Sequence, residues 1–225
     1  MVVGLGNVNI TPDALGPKVA SYVNVTRHLL KYAKDLITEP VNEISAISPG
    51  VLGTTGIETE EIIHSITKSV NPDIIIAIDS LASMSTSRVG KTIQLSNTGI
   101  TPGQGVGNTR EGLNERTLGR KVIAIGVPTV TDMATITNDA IDKVIMNIDD
   151  EIKNYTNDVD VSSNKAIELL YSENRYNKIA NPSLTALVKI ANILETENYI
   201  VTPKEIDAVI LKISEIIASA INETI

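Results

Sequence analysis

Residues 2–17, VVGLGNVNITPDALGP, gather a buried strand, a glycine turn, one carboxylate and a helix start into a single short stretch. Val2, Val3 and Leu5 read as a short apolar strand, and Gly4 and Gly6 permit a tight turn where a side chain would block close backbone approach. Asn7 tolerates unusual turn geometry. Thr11-Pro12-Asp13 then brings the chain to a helix N-terminus, where unpaired backbone N–H groups can hold a carboxylate. Asp13 is thereby expected near the carboxyl end of a strand, the edge at which open α/β sheets place their sites.

Working outward, residues 16–35 carry apolar positions at helical spacing, and residues 41–48 read as a strand closed by Pro49-Gly50. A glycine loop runs to Gly56. Thr55-Gly56-Ile57-Glu58 has capping-box spacing and predicts a helix whose buried stripe is Ile57, Ile62, Ile63 and Ile66. Asn71-Pro72 ends that helix, and DIIIAID at 73–79 is a continuous apolar strand terminating on a second carboxylate, Asp79. Residues 91–96 suit a further strand. The stretch 97–108, NTGITPGQGVGN, is a glycine-rich loop with two readings, a cover over a substrate or a linker. Residues 121–126 form another buried strand, followed by a helix over about 134–148 with Asp132 as its cap.

The polar, acidic stretch 149–165 reads as an exposed connection, and 182–194 as a helix. Thr202-Pro203-Lys204-Glu205 is a strong helix start, followed by a stripe of Ile206, Val209, Ile210, Ile213, Ile216 and Ile217. Alternating strands and helices predict an α/β fold: a largely parallel, mixed and twisted sheet flanked by helices. The expected organisation is a single α/β domain over 1–225, with a sheet core at about 1–148 and a helical part at about 160–225.

Composition narrows the function classes. The 225 residues are 42% hydrophobic, enough for a substantial core. The longest aliphatic run, residues 74–78, is far shorter than the roughly 20 residues needed to span a bilayer, so no membrane association is expected. A formal net charge of −8 and the lack of any basic cluster argue against direct nucleic-acid binding. There is no cysteine, which removes disulfides, thiolate nucleophiles and cysteine metal sites together. His28 and His64 are the sole imidazoles, and both fall in helical segments.

Motifs narrow them further. Gly4-Leu5-Gly6 lacks the third glycine of a dinucleotide fingerprint, and no phosphate-binding loop, HExxH or GxSxG is present. Ser80 reads as a turn or helix-start hydroxyl. Asp13 and Asp79 are the stronger signal, because two carboxylates brought together cannot both ionise cheaply. One then keeps a proton near neutrality, and the pair can act as acid and base on a water. A purely structural reading, with Asp13 as helix cap and Asp79 as turn residue, accounts for the same spacing.

With these residues in view, the chain resembles the germination protease family, spore endopeptidases that degrade small acid-soluble spore proteins. The resemblance rests on VVGLGNVNITPDALGPK at 2–18, VTRHL at 25–29, ISPGVLGTTGIETEEII at 47–63, NPDIIIAIDSLAS at 71–83, TGITPGQGVGN at 98–108, IAIGVPTVTDMATI at 123–136 and VTPKEID at 201–207. It implies a phosphorylase/hydrolase-like fold, akin to the hydrogenase maturation endopeptidases, and an aspartate-dependent endopeptidase with Asp13 and Asp79 as its catalytic acids. Gly6, Asn7, Thr55, Gly56, Gly103 and Gly105 are implied as substrate-binding or site-supporting. No histidine matches the one that completes the metal site of the maturation enzymes, so neither metal nor cofactor is expected. The family further implies small acid-soluble spore proteins as substrate, a homotetramer made as a zymogen, and residence in the cytoplasm of the spore core.

The sequence departs from the family in three places. Asn97 and Thr101 stand where Asp and His are expected, and 165–200 matches poorly. Family members carry residues ahead of the first glycine strand, so the propeptide region is expected to be absent here. Two alternatives therefore stay open: a catalytically impaired, shortened relative serving as a binding or assembly module, and a metal-dependent maturation peptidase.

Overall fold

The computed structural model describes residues 1–38, 40–103, 111–158 and 199–224. They fall into two compact units, one of Met1–Ser83, Ser87–Val130 and Thr202–Ile225, the other of Met84–Thr86 and Thr131–Val201.

The first unit is a sheet between helices. Its strands are β1 (Val2–Gly4), β2 (Ala46–Ile47), β3 (Ile74–Ser83), β4 (Gln94–Ser96) and the leading part of β5 (Lys121–Asp132), in the order β2-β1-β3-β5-β4. β1 runs parallel to both β2 and β3, with Val2 opposite Ala46 and Ile76, and β4 closes the other margin antiparallel to β5. The mixed, mostly parallel α/β sheet expected from the alternation of apolar segments is thus present.

Both faces of β1 are buried, which explains its unbroken apolar character. Val2 enters a core with Leu15, Val19, Ile78, Val127, Ile210 and Ile217, formed by α1 (Leu15–Tyr22) and the C-terminal helix, α7 (Ile206–Thr224). Its neighbour Val3 faces the opposite way, into a core with Leu5, Ile63, Ile75, Ala77 and Leu113. Ile63 comes from α4 (Thr59–Val70).

Several boundaries differ from the sequence reading. The helix expected over 16–35 is broken into α1 and α2 (Arg27–Tyr32), because Val23 is extended and Asn24 N–H donates to Asn222 Oδ1 of α7. The strand expected over 41–48 shrinks to Ala46–Ile47, since Ile44 O accepts the Thr26 and Arg27 N–H groups instead of pairing in the sheet. No capping box forms at Thr55. That residue ends a short helix, α3 (Leu52–Thr55), with Gly56 left-handed at its C-cap, and α4 starts later behind Glu58. Ile57 is exposed, while Ile62 and Ile66 are partly buried beside Ile63. The strand at 91–96 begins only at Gln94, because Gly90 and Lys91 bond to Pro128 O and Arg88 O.

α7 starts at Ile206, later than Thr202 suggests: the Thr202 hydroxyl donates to Pro203 O and caps no N–H. Its stripe is buried at Ile206, Ile210 and Ile217, whereas Ile216 is exposed.

In the second unit, α6 (Met133–Asp158) begins where Asp132 Oδ1 accepts the Thr135 N–H at 2.6 Å, the cap read from sequence. It continues to Asp158, so 149–158 are helical and not a connection; 159–165 and the helix expected at 182–194 lie outside the described residues. β6 (Ile200–Val201) pairs antiparallel with Thr131 and Asp132. Among the described residues no helix is long and apolar enough to cross a membrane.

Candidate active site

Two glycines bring the first helix onto the strand ends. A Cβ at Gly16, in the first turn of α1, would stand 2.3 Å from Leu5 O and 2.5 Å from Ile78 O, while one at Gly4 would stand 2.0 Å from Gly16 O. No side chain fits at either place. The helix therefore lies directly on β1 and β3, and the turn that precedes it, Thr11–Asp13, is carried over the end of β1. β1 pairs with β3 as far as Gly4 opposite Ile78, with Leu5 N–H adding a last bond to Ile78 O at 2.8 Å. Asp79 is the next residue of β3. The strand itself runs on to Ser83, so Asp79 stands where the parallel partner stops and not at the strand's own terminus, as the sequence suggested.

Each acid is held by one backbone N–H. Asp13 Oδ2 accepts from Asn7 at 2.7 Å, and Asp79 Oδ1 accepts from Ser80 at 2.9 Å. Gly6 makes the first contact possible: its φ of +113° turns the chain so that the peptide backs onto Asp13, where a Cβ would meet Asp13 O at 2.1 Å. Asn7 Oδ1 accepts the Asn9 N–H at 3.0 Å, fixing the bend that aims the Asn7 N–H.

The environments of the two acids differ. Asp79 is buried, and its carboxyl is pushed up to about 7, first by loss of water and then by the negative charge of Asp13, against the Ser80 N–H. The Thr11–Asp13 turn itself packs against β3, the strand that carries Asp79. Asp13 is less buried; burial raises its carboxyl too, with the Asn7 N–H opposing. Among the described residues neither acid is paired with a cation. The Ser80 hydroxyl is buried without a hydrogen-bond partner.

Gly6 and Asn7 thus join Asp13 and Asp79 in one place. Thr55 and Gly56 are exposed at the end of α3, where the Thr55 hydroxyl bonds only to its own turn through Val51 and Ile57. Gly103 lies in a turn with φ +73°, and Gly105 lies outside the described residues. His28 on α2 and His64 on α4 take no part in holding either acid. Among the described residues no three His, Asp or Glu side chains are grouped to hold a metal ion. Sequence reasoning marked Gly4 as a place of close backbone approach but missed Gly16, the partner whose contact with it sets the site. The available signal was a glycine three residues after an acid, facing a glycine in the preceding strand.

The model of the family described as Germination protease matches residues 1–178. The germination protease of Clostridium tetani is 48% identical over 225 residues, covering 99% of this chain and 64% of the relative. That of Clostridium perfringens is 49% identical over 222 residues with the same coverages, and that of Bacillus cytotoxicus is 41% identical over 243 residues, covering 99% of this chain and 65% of the relative. The chain therefore spans a little under two thirds of the length of these relatives. On the family match over residues 1–178 and on this likeness, the chain belongs to the germination protease family.

Proposed function

We propose that this chain is an endopeptidase in which Asp13 and Asp79 act together on one water. The observation that carries the reading is the difference between the two acids: Asp79 is buried with a carboxyl near 7, and Asp13 is more open. In this reading Asp79 holds the proton at neutral pH and Asp13 is the carboxylate. Asp13 takes a proton from water as its oxygen bonds to the scissile carbonyl carbon, and Asp79 gives its proton to the carbonyl oxygen. The tetrahedral adduct then collapses. The C–N bond breaks, the nitrogen leaves with the proton that Asp13 received, and the adduct's hydroxyl proton returns to Asp79. All of these groups lie in the first unit.

With membership in the germination protease family, we further propose small acid-soluble spore proteins as the substrate, the spore core as the compartment and a homotetramer made as a zymogen as the form. The parallel pairing of β1 with β2 and β3 supports a phosphorylase/hydrolase-like fold akin to the hydrogenase maturation endopeptidases.

The test is incubation with a small acid-soluble spore protein, with and without chelator, beside Asp13→Asn and Asp79→Asn. Loss of roughly 10²–10⁴-fold in each variant, with chelator inert, is the expected result. Cutting that survives in both variants overturns the roles. Cutting that disappears with chelator points to the metal-dependent alternative.

A further inference from the structure

α1 is only eight residues long and begins just past Asp13, so a slide of its far end along the helix axis is passed directly to the turn that carries the acid. That far end is held by a side chain from α7. Val23 is extended, so α1 stops at Tyr22 and its last carbonyls lack helical partners. Asn222 of α7 supplies one: its Nδ2 donates to Tyr22 O at 3.0 Å, while its Oδ1 accepts the Asn24 N–H at 2.9 Å. The same helix packs against the Thr11–Asp13 turn, so α7 reaches α1 at its tail and the turn at its head. Between those points the contact is apolar, with Leu15 and Val19 sharing a core with Ile210, Ile217 and Ile221.

We propose that Asn222 is a positioning residue, whose two bonds to the end of α1 set where Asp13 stands on the sheet. This rests on the reading of Asp13 and Asp79 as the hydrolytic pair. Apolar burial has no direction, and it resists separation of the two helices more than sliding of one along the other. Two bonds from one planar amide, to either side of the break at Val23, oppose both sliding and rotation of α1. At the head, Gly16 is seated on Leu5 O and Ile78 O with no room for a Cβ. That seat has no slack, so even a small slide of α1 displaces the turn and strains the bond from Asn7 N–H to Asp13 Oδ2. Tyr22 and Asn24 are exposed and Asn222 is half-buried, so water replaces the bonds lost in an alanine variant and the chain still folds.

The experiment compares Asn222→Ala with Ile217→Val, which thins the same helix contact and leaves the two bonds intact. Cutting of a small acid-soluble spore protein is measured beside hydrogen exchange of the Asn7 N–H, followed by NMR. Both changes are expected to lower melting by roughly 2–4 °C. At matched folded fraction, Asn222→Ala is expected to lower kcat roughly 10-fold with KM nearly unchanged, and to speed Asn7 exchange. It is also expected to move the alkaline limb of kcat/KM to lower pH, because loosening the turn readmits water to Asp79 and withdraws the Asp13 charge, the two causes of its raised carboxyl. Ile217→Val is expected to do none of these. Asn222→Asp keeps the acceptor for Asn24 N–H and offers no donor to Tyr22 O, so its kcat is expected to lie between. A kcat in both Asn222 variants equal to that of the unaltered chain overturns the proposal, and so does an equal loss in Ile217→Val. Faster Asn7 exchange in Asn222→Ala, together with cutting that survives Asp13→Asn and Asp79→Asn, overturns the hydrolytic reading and leaves the tie between Asn222 and the Asp13 turn standing.

Discussion

Gly16 is packed against the carbonyl of Ile78 so closely that a Cβ there would lie 2.5 Å from the oxygen, and Ile78 is the residue before Asp79. The first turn of α1 and the strand position of the buried acid therefore set one another. Gly16→Ala is expected to push α1 off the sheet, costing about 3 kcal/mol of stability and lowering cutting by more than that loss of folded chain explains. Denaturant unfolding beside kcat/KM at matched folded fraction checks both parts. An Ala variant with full activity would refute the coupling.

The raised carboxyl of Asp79 makes both activity and stability depend on pH. Because Asp79 donates in the proposed step, kcat/KM is expected to fall as pH rises through about 7. For stability the sign follows from proton uptake: the folded carboxyl titrates near 7 and an unfolded aspartate near ~3.9, so between them the folded chain binds more protons. The stabilisation is complete below about pH 4 and is lost as pH rises to about 7. Asp79→Asn is accordingly expected to melt higher than the unaltered chain at pH 8, by an amount on the order of 4 kcal/mol, with the difference vanishing near pH 4. Calorimetric melting across that range measures it.

Ser80 has its N–H on Asp79 and its hydroxyl buried without a partner. Ser80→Ala keeps the useful backbone donor and deletes the orphaned oxygen, so a gain of about 1 kcal/mol with cutting retained is expected. Chemical denaturation and a cleavage assay read the two. Abolished cutting in this variant would instead make Ser80 part of the chemistry.

Asn114 offers a contrast. Its Oδ1 accepts from Arg116 N–H at 3.0 Å and Thr117 N–H at 3.1 Å, capping the short helix α5 (Glu115–Leu118). Asn114→Ala is expected to cost about 1 kcal/mol of stability and to leave KM unaltered, as thermal melts and steady-state kinetics would record.

What the sequence discloses here is mostly local. The apolar run of β1 and the Asp132 cap of α6 each depend on neighbours a few residues away, and each is where the pattern puts it; Asp13 precedes α1 as read, yet it caps no N–H of that helix and is held by the Asn7 N–H instead. What it conceals is decided by distant partners. α1 stops at Tyr22 where Asn222 receives the Asn24 N–H and donates its own amide to Tyr22 O, 200 positions apart. β3 outruns its apolar core because β5 lies beside it, a neighbour that no period in 73–79 announces. The Thr55 box fails for a different reason: Gly56 in the left-handed region closes one helix before the next can begin.

The bond between Asn222 and the end of α1, with α7 lying over Leu15 and Val19, also sets a schedule. A ribosome adding roughly 5–20 residues each second needs on the order of 10–40 s to go from Val19 to Ile221. Throughout that interval the helix that carries Asp13 over the sheet lacks its cover. The turn that holds Asp13 is therefore expected to settle on the sheet only after Ile221 has left the ribosome.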